Sequence, residues 1–320
     1  MMKYRLIKGK KIFPIGIGTW GIGGFAQKDP SNPDKKQIEA LIYALQKGLN
    51  YIEVSMWAAQ GHCAYLVSEA IKKSGIKRED IFITFVGYPY NVDSLEELEE
   101  SLDKFMSMIG SDYVDAFQSS TSTSSKFGED ETDKMITSLI KKGKCLYTTF
   151  TNGNIDIIKK YKTVFKKKFV AHEVCFNFEV RENMDFGIIP WHERNDLLTV
   201  TYQPLRRNRT AKRSWPLLVE LSKKYKKTQN QIILNWIYTK GFLPLVKSEN
   251  KSHIDENVRA LEFKIDENDL KKLDKFRPPK WITPKIDWKR MGDGKIDGDG
   301  IYIDQLPNIF DEEYDKIKTN

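Results

Sequence analysis

The chain has 320 residues and a formal net charge of +8, with 40% hydrophobic and 30% charged residues, which is typical of a soluble globular protein. No run approaches the ~20 apolar residues of a membrane helix, and the first residues hold no apolar signal core, so we expect a cytoplasmic protein without a membrane partner. The lysine runs lie near predicted helix ends and the three cysteines are widely spaced, so we predict no nucleic-acid partner, no disulfide framework and no metal site.

The first half of the chain alternates between strand-like and helix-like segments. Leu41 and Leu45 recur at helical spacing, and Gly48 is typical of a helix end just before an apolar run. Ser94 and Glu97 form the pattern of a capping box, which predicts the start of another helix. In chain order we predict a strand over 12–18, a helix over 35–47, a strand over 51–54, a helix over 64–73, a strand over 81–87, a helix after Ser94, a strand over 113–118 and a helix over 130–141.

The second half continues the alternation. In chain order we predict a strand over 145–150, a helix over 155–161, strands over 169–176 and 197–202, helices over 215–225 and 228–238, a strand over 242–246, and helices over 252–261 and 267–276. Strands that alternate with helices favour a parallel α/β sheet with crossover helices, and a series of this length can close into a (β/α)8 TIM barrel. We expect a single barrel domain over 1–277 and a tail over 278–320 that packs on it.

A doubly wound sheet is the competing fold. Such sheets usually carry a glycine-rich phosphate loop between the first strand and the first helix. Gly16, Gly18 and Gly21 match the glycine spacing of that loop, but no clear helix begins straight after them. The barrel is therefore the favoured prediction, and it places functional side chains on the loops that follow the strands.

Several segments resemble motifs of the aldo-keto reductase family, in the order in which the family has them. They include FPIGIGTWGIGG, GLNYIEVSMWAAQG, KREDIFITFV, GSDYVDAFQSS and the long run KKYKKTQNQIILNWIYTKGFLPLVKSENKSHIDENVRAL. The resemblance extends over about residues 13–276. It implies a barrel that binds NADP(H) and a small-molecule substrate, and that reduces carbonyl groups with an Asp, a Tyr, a Lys and a His.

The four proton-handling positions implied by the resemblance carry unusual residues. They fall on Glu53, Ala58, Phe85 and Ser120. Alanine cannot donate a proton, and phenylalanine cannot pull the pKa of a donor towards the working pH. Tyr88, Tyr90 and His62 are possible substitutes, although we favour packing or surface roles for them. We therefore predict that ordinary carbonyl reduction is lost or altered.

The cofactor positions implied by the resemblance are better preserved. Thr151 and Asn152 match the pair that binds the nicotinamide amide, and Tyr202 matches the aromatic residue that stacks on the ring. Lys247 and Ser248 match the pair that meets the 2′-phosphate. The complete set is Thr19, Trp20, Thr151, Asn152, Glu173, Tyr202, Leu205, Arg206, Lys247, Ser248, His253, Glu256 and Asn257.

Two of these positions depart from the family, and two have simpler interpretations. Glu173 replaces a glutamine, and a carboxylate cannot donate a hydrogen bond to the amide. His253 replaces an arginine, which removes a permanent charge beside the 2′-phosphate. Asn152 could instead be the N-cap of the helix before Ile155, and Tyr202 could simply pack at the barrel mouth.

Three hypotheses for the function remain open at this point. The first is a pseudoenzyme that binds NADP(H) and acts as a sensor, scaffold or regulatory partner. The second is an enzyme of altered chemistry, an oxidoreductase or another class of enzyme, that uses Glu53, Glu173 or His172 as acid or base; an active NADP-dependent oxidoreductase on a small carbonyl substrate is one form of it. The third is an interaction protein with a vestigial nucleotide site and a protein partner.

Overall fold

Residues 3–25 and 27–278, which the computed structural model describes, are built around eight parallel strands. An antiparallel hairpin of two strands, β1 (Arg5–Ile7) and β2 (Lys10–Ile12), comes before them. The eight barrel strands are β3 (Gly16–Ile17), β4 (Tyr51–Val54), β5 (Phe82–Val86), β6 (Val114–Ser120), β7 (Cys145–Thr151), β8 (Phe169–Cys175), β9 (Leu198–Tyr202) and β10 (Leu243–Val246). Each barrel strand pairs with the next and β10 pairs with β3, so the sheet closes. The predicted (β/α)8 barrel is confirmed. Apart from Pro278, the predicted tail lies outside the described residues.

Helices follow the strands and cover the outside of the barrel. They are α1 (Asp34–Gln46), α2 (His62–Lys73), α3 (Leu95–Ile109), α4 (Thr121–Phe127), α5 (Glu129–Lys141), α6 (Ile155–Phe165), α7 (Glu182–Asp185), α8 (Ile188–Arg194), α9 (Arg209–Lys212), α10 (Pro216–Tyr225), α11 (Gln229–Thr239), α12 (Lys251–Arg259) and α13 (Glu267–Lys275). Among the described residues, none of these helices is long and apolar enough to cross a membrane.

Side-chain caps fix where several helices begin. Ser94 accepts a hydrogen bond from the Glu97 backbone N–H at 3.2 Å, but the Glu97 carboxylate bonds to the N–H of Asp93 rather than to that of Ser94. The first hydrogen bond of the predicted capping box is therefore present, and the second goes to the N–H of the residue before Ser94. A complete box begins α11, where Thr228 and Gln231 each bond to the other's backbone N–H.

The alternation of side chains along each strand divides the core into two parts. Tyr51 and Phe82 point into the barrel, where their rings stack at 5.2 Å. Phe85 and Phe117 point to the other face and pack, with Phe105 of α3, between the sheet and the helices. Successive strand residues face opposite sides, so each strand supplies both the inner plug and the outer layer.

A buried carboxylate closes the amino-terminal end of the barrel. Asp115 accepts hydrogen bonds from the Lys10 ammonium at 2.5 Å, from Arg78 at 2.9 Å and from the backbone N–H of Ile83 at 3.0 Å. Because Lys10 comes from the hairpin, this contact holds β2 across the bottom of the barrel. The ligand cavity lies at the other end.

One predicted strand is shorter in the structure, and four short helices, α4, α7, α8 and α9, were not predicted. The strand expected over 12–18 is cut to Gly16–Ile17, since Pro14 has no N–H to give to a ladder. The helix α4 was not predicted, because its sequence TSTSSKF has no apolar period. A local cap and a tertiary bond hold it instead: Ser120 caps its first turn, and the Thr123 hydroxyl donates to the Gly87 carbonyl at 2.7 Å.

Candidate functional site

A cavity of about 830 Å³ opens at the carboxyl ends of the barrel strands. This volume is at the upper end of the range for ligand pockets. All the predicted cofactor residues except Asn152 line it, namely Thr19, Trp20, Thr151, Glu173, Tyr202, Leu205, Arg206, Lys247, Ser248, His253, Glu256 and Asn257. Sequence reasoning therefore brought together residues from widely separated segments.

Asn152 lies behind the cavity wall rather than in it. Its side-chain oxygen accepts a hydrogen bond from the Tyr202 hydroxyl at 2.7 Å, and its backbone N–H donates to the Glu173 carbonyl at 3.1 Å. The alternative that Asn152 caps the next helix is wrong, since Asn154 caps α6 by accepting from two backbone N–H groups. Asn152 thus fixes the position of Tyr202, a cavity residue.

Two carboxyl groups, Glu53 and Glu173, meet at the floor of the cavity. Their strands, β4 and β8, are four apart in the closed order of eight, so the side chains approach from opposite sides of the barrel. Gln118 on β6 bridges them: its amide nitrogen donates to Glu53 Oε1 at 3.2 Å and to Glu173 Oε2 at 2.5 Å. We call Glu53 and Glu173 the carboxyl pair.

The carboxyl pair holds a proton that a single surface carboxylate would release. Burial raises the pKa of Glu173 well above its ordinary value, and the charge of Glu53 and a hydrogen bond with it raise it further. Two adjacent carboxylates cannot both ionise easily. Burial and Glu53 therefore favour the neutral form of Glu173, and in the structure its Oε2 accepts the hydrogen bond from Gln118.

The side chain that β5 presents to the cavity is apolar, as predicted, but it belongs to Val86 and not to Phe85. Val86 lines the cavity, whereas Phe85 is buried on the outer face against Phe105 at 5.7 Å and Phe117 at 6.1 Å. The placement of Phe85 at the site is therefore wrong by one residue. Since successive strand residues alternate, a change at Val86 rather than at Phe85 would introduce a cation at the cavity.

The other two substituted positions have structural roles. Ala58 is buried and lines the cavity wall with a methyl group. Ser120 is fully buried at the end of β6, where its hydroxyl accepts from the Thr123 backbone N–H at 3.2 Å as the N-cap of α4. Neither side chain offers an acid to a ligand in the cavity.

Four aromatic side chains form one side of the mouth, and we call them the aromatic wall. Trp20 stacks on Trp57 at 4.8 Å, and Trp57 contacts Tyr88 at 5.5 Å and Tyr90 at 4.7 Å. Trp20 and Tyr88 line the cavity. Within the described part of the chain, the buried indole nitrogen of Trp20 has no hydrogen-bond partner. The wall therefore suits a flat ligand that carries an acceptor.

Of the three substitutes considered from the sequence, Tyr88 is the one that lines the cavity. The Tyr90 hydroxyl is 3.4 Å from the hydroxyl of Ser122, and His62 bonds through Nε2 to Asp34 at 2.7 Å. These contacts leave Tyr88 as the substitute whose location fits direct contact with a ligand.

The opposite end of the cavity is basic and lies beside the N-terminus of the helix α12. Lys247 is ion-paired with Glu249, which also accepts from Asn32 at 2.9 Å. Ser248 exchanges hydrogen bonds with the Asn250 backbone at 3.1 Å, just before the first turn of α12. A lysine beside a helix N-terminus is a favourable location for a phosphate. We call this region the basic end.

A buried glutamate anchors the loop that follows β9, which forms another wall of the cavity. Glu179 is ion-paired with Arg206 and, at 2.8 Å, with Arg213; it also accepts from the Trp215 indole at 2.7 Å and from Thr210 at 3.2 Å. Arg206 lines the cavity, but its guanidinium bonds to Glu179, so its side chain also has a structural role that the sequence did not indicate.

Two buried histidines form a chain outside the cavity. The Gly153 N–H donates to His172 Nε2 at 3.2 Å, so His172 Nδ1 donates to His192 Nε2 at 2.8 Å, and His192 Nδ1 donates to Thr199 at 2.9 Å. Burial lowers the pKa of His192 to about 3 and that of His172 well below its ordinary value, where the charge of His192 adds to the effect. His172 is therefore a structural residue rather than the substitute acid considered from the sequence.

The start of α11 adds cavity residues that sequence reasoning missed. Gln229 and Asn230 line the cavity, and among described atoms the buried side-chain oxygens of both lack a partner. The Thr228 hydroxyl donates to Glu256 at 2.6 Å, which ties this helix to α12. The predicted helix start at residue 228 was the sequence feature that could have pointed to Gln229 and Asn230. The described residues hold no cluster of His, Cys, Asp or Glu suited to a metal ion.

Curated relatives cover most of the chain. It is 23% identical over 275 residues to the uncharacterized oxidoreductase YtbE of Bacillus subtilis, which spans 85% of this chain and 94% of that protein. It is 25% identical over 283 residues to an NADPH-dependent alpha-keto amide reductase of Saccharomyces cerevisiae, over 84% of this chain and 89% of the relative.

Solved structures share the same architecture. A thermostable aldo-keto reductase, Tm1743, in complex with the inhibitor epalrestat, is 28% identical with a TM-score of 0.75, over 85% of this chain and 99% of that one. An aldo-keto reductase from Klebsiella pneumoniae in complex with NADPH is 19% identical with a TM-score of 0.75, over 88% and 97%. The model of the Aldo/keto reductase family matches residues 14–278. The chain belongs to the aldo/keto reductase family.

Proposed function

We propose that this protein binds NADP(H) in the cavity and is an oxidoreductase of altered chemistry, in which ordinary carbonyl reduction by a tyrosine, lysine and histidine is lost. The observation that carries the proposal is a contrast within one cavity. Its basic end retains Lys247 beside the start of α12, whereas the positions that face a reacting group hold Ala58 and Val86.

The residues present fit a dinucleotide. Lys247, Ser248 and the first N–H groups of α12 suit a phosphate, because backbone donors and the helix dipole point at the anion. The unpaired oxygens of Gln229 and Asn230, which the described residues leave without donors, suit the N–H groups of a base or the hydroxyls of a ribose. Named relatives, an NADPH-dependent reductase and an NADPH complex among them, support this ligand.

The chain's residues would then bind and orient the ligand without supplying the usual acid. Thr151 and Glu173 can bond an amide, and the Tyr202 ring, positioned by Asn152, lines the same cavity. A bound reduced nicotinamide supplies a hydride equivalent. Ala58 cannot protonate the resulting alkoxide, and a positioned general acid normally contributes about 10²–10⁴-fold to the rate.

The first test combines binding with turnover. We expect NADPH fluorescence to report binding in the micromolar range, and a panel of small aldehydes and ketones to be turned over at least about 100-fold more slowly than by an ordinary reductase, for want of the acid. Lys247→Met is the matched variant and should weaken NADPH binding.

Failure to bind at high micromolar NADPH would reject the proposal and favour a vestigial site. Turnover close to that of an ordinary reductase would reject the loss of the proton donor. In that case Tyr88→Phe would identify the substitute, since the Tyr88 ring lines the cavity. Binding with no turnover of any substrate would assign the role of a pseudoenzyme.

A second prediction concerns the ion pair at the basic end. Glu249→Gln should strengthen NADPH binding severalfold, because it removes the carboxylate that competes with a phosphate for Lys247. Partly exposed ion pairs of this kind are worth up to about 1 kcal/mol, which is about fivefold in affinity. Fluorescence titration of both reduced cofactors measures the change.

NADH is the internal control for this prediction, since it lacks the 2′-phosphate and should bind the variant much as it binds the wild type. Glu99→Gln makes the same change in net charge on the outer helix α3, at a carboxylate paired with Lys142 and Lys144, and should leave both affinities unchanged. An equal gain for NADH and NADPH would show that Lys247 does not meet the 2′-phosphate.

A further inference from the structure

The loop that follows β5 carries two of the four rings of the aromatic wall, although it has no regular structure of its own. Residues 87–94 form neither a helix nor a strand. Tyr88 and Tyr90 lie in this loop with their ring centroids 5.5 Å apart, and both rings contact Trp57 of the loop after β4. The position of Tyr88 at the cavity therefore depends on the tertiary contacts that hold the loop.

The loop begins at a close contact and a hydrogen bond. A methyl group added at Gly87 would lie 2.3 Å from a ring carbon of Phe117, so a larger residue would displace that buried ring. The Thr123 hydroxyl, from the first turn of α4, donates to the Gly87 carbonyl at 2.7 Å. The backbone therefore leaves β5 in a fixed direction, one residue before Tyr88.

Lys126, in the last turn of α4, holds the middle of the loop. Its ammonium donates to the Pro89 carbonyl at 3.0 Å and to the Val92 carbonyl at 2.6 Å, and it lies 3.7 Å from the Asp93 carboxylate. An ammonium group has three donors, so one lysine can hold both carbonyls at once. Hydrogen bonds from a charged donor are stronger than those between neutral groups. The two bonds fix the turn that contains Tyr90.

The helix α4 begins at the position where the family resemblance implies a proton-handling histidine. Ser120 occupies it, and the Ser120 hydroxyl accepts from the Thr123 backbone N–H at 3.2 Å. The two hydroxyl oxygens are 2.9 Å apart, and since Thr123 gives its proton to Gly87, Ser120 is the donor between them. The end of β6 therefore builds the helix that holds the loop after β5.

We propose that α4 is a clamp on the loop after β5, and that Lys126 is a positioning residue for a planar aromatic ligand because it holds Tyr88 in the cavity wall. Lys126 does not line the cavity itself, so it acts through Tyr88. A wall that is already ordered favours binding, since ordering a loop when the ligand arrives costs conformational entropy. The inference goes beyond the proposed NADP(H) site, because it concerns the aromatic wall and not the basic end.

The test follows a planar probe by quenching of tryptophan emission. The probe is 9-anthracenemethanol, a flat fused-ring molecule with one hydroxyl that absorbs where indole emits. Lys126→Met keeps the length of the side chain but removes its charge and its donors. The variant should bind the probe about three- to tenfold more weakly than the wild type, which is the effect of losing one well-placed aromatic contact.

A double-mutant cycle shows whether Lys126 acts through Tyr88. Tyr88→Ala removes the ring itself and should weaken binding of the probe at least as much as Lys126→Met does. In the Tyr88→Ala background, Lys126→Met should have little further effect, because residues that act as one unit are not additive. Additive losses would overturn the inference, since Lys126 would then act on the ligand by another route.

Two further variants separate positioning from net charge. Lys126→Arg keeps the charge and the N–H donors, and should bind the probe more tightly than Lys126→Met. Lys134→Met makes the same change in net charge on α5, where Lys134 pairs with the exposed Glu131, and should bind the probe as the wild type does. An equal loss in Lys134→Met and Lys126→Met would reject the clamp. Thermal melts of each variant show whether it is folded at the temperature of the titration.

Failure of the inference and failure of the proposed function give different results. NADPH binding with a probe affinity that Lys126→Met leaves unchanged would reject the clamp and leave the nucleotide site in place. Probe binding that Lys126→Met weakens, in a wild type that does not bind NADPH, would reject the nucleotide site and support the clamp. A wild type that does not bind the probe would also overturn the inference.

Discussion

Glu179→Gln should lower the free energy of unfolding by about 3–5 kcal/mol, the usual cost of removing one partner from a buried ion pair. Glu179 is fully buried, and without its charge the guanidinium groups of Arg206 and Arg213 lose the carboxylate that they share in the interior. Those two charges also hold the pKa of Glu179 below its ordinary value, although burial acts in the opposite direction. Urea denaturation of the variant and wild type measures the difference.

The variant should also weaken NADPH binding, because Arg206 and the loop after β9 form one wall of the cavity. Glu129→Gln is the matched control: it removes an exposed partner of Lys160 and should change stability far less. A small loss of stability in Glu179→Gln would show that water or another carboxylate replaces Glu179, and would contradict the anchoring role described here.

Acidification from pH 6.5 to pH 5 should destabilise the fold by up to about 4 kcal/mol. His172 and His192 have pKa values in the folded state that burial lowers below the ordinary value. Below pH 6.5 the unfolded chain therefore binds protons that the folded chain cannot accept. Each histidine then contributes up to about 1.4 kcal/mol per pH unit.

Glu173 acts in the opposite direction over part of this range. Its pKa in the folded state is raised, so its contribution to stability is present at low pH and declines as the pH rises. Urea denaturation across pH 5–8 should therefore be done on Glu173→Gln as well as on the wild type. His192→Gln should reduce the slope by about one proton, and an unchanged slope would reject the role of the buried histidines.

The fold was predictable because its signals are local and repeated. Apolar strands such as Phe82–Val86, helix ends at glycine and capping residues such as Ser94 and Thr228 each set one element, and alternation of strands and helices leaves few topologies. The helix α4 escaped prediction since bonds to distant residues, such as Thr123 to Gly87, hold it. Such bonds leave no periodic pattern in the sequence.

The candidate site was predictable in its members but not in its interactions. Family motifs placed Lys247, Tyr202 and Glu173 at one cavity, as the structure has them. They could not show that Gln118 joins two carboxyl groups across the barrel, because β4, β6 and β8 are far apart in sequence. The error between Phe85 and Val86 has a similar origin, since only the three-dimensional strand fixes which side faces inward.

The stacked indoles of the aromatic wall provide a built-in optical reporter. Trp20 lies at the cavity surface and stacks on Trp57, so a chromophore that enters the cavity comes within range of efficient energy transfer from both. Reduced nicotinamide absorbs where indole emits, whereas the oxidised form does not. Quenching of the protein's own emission would therefore distinguish which form is bound, without a label.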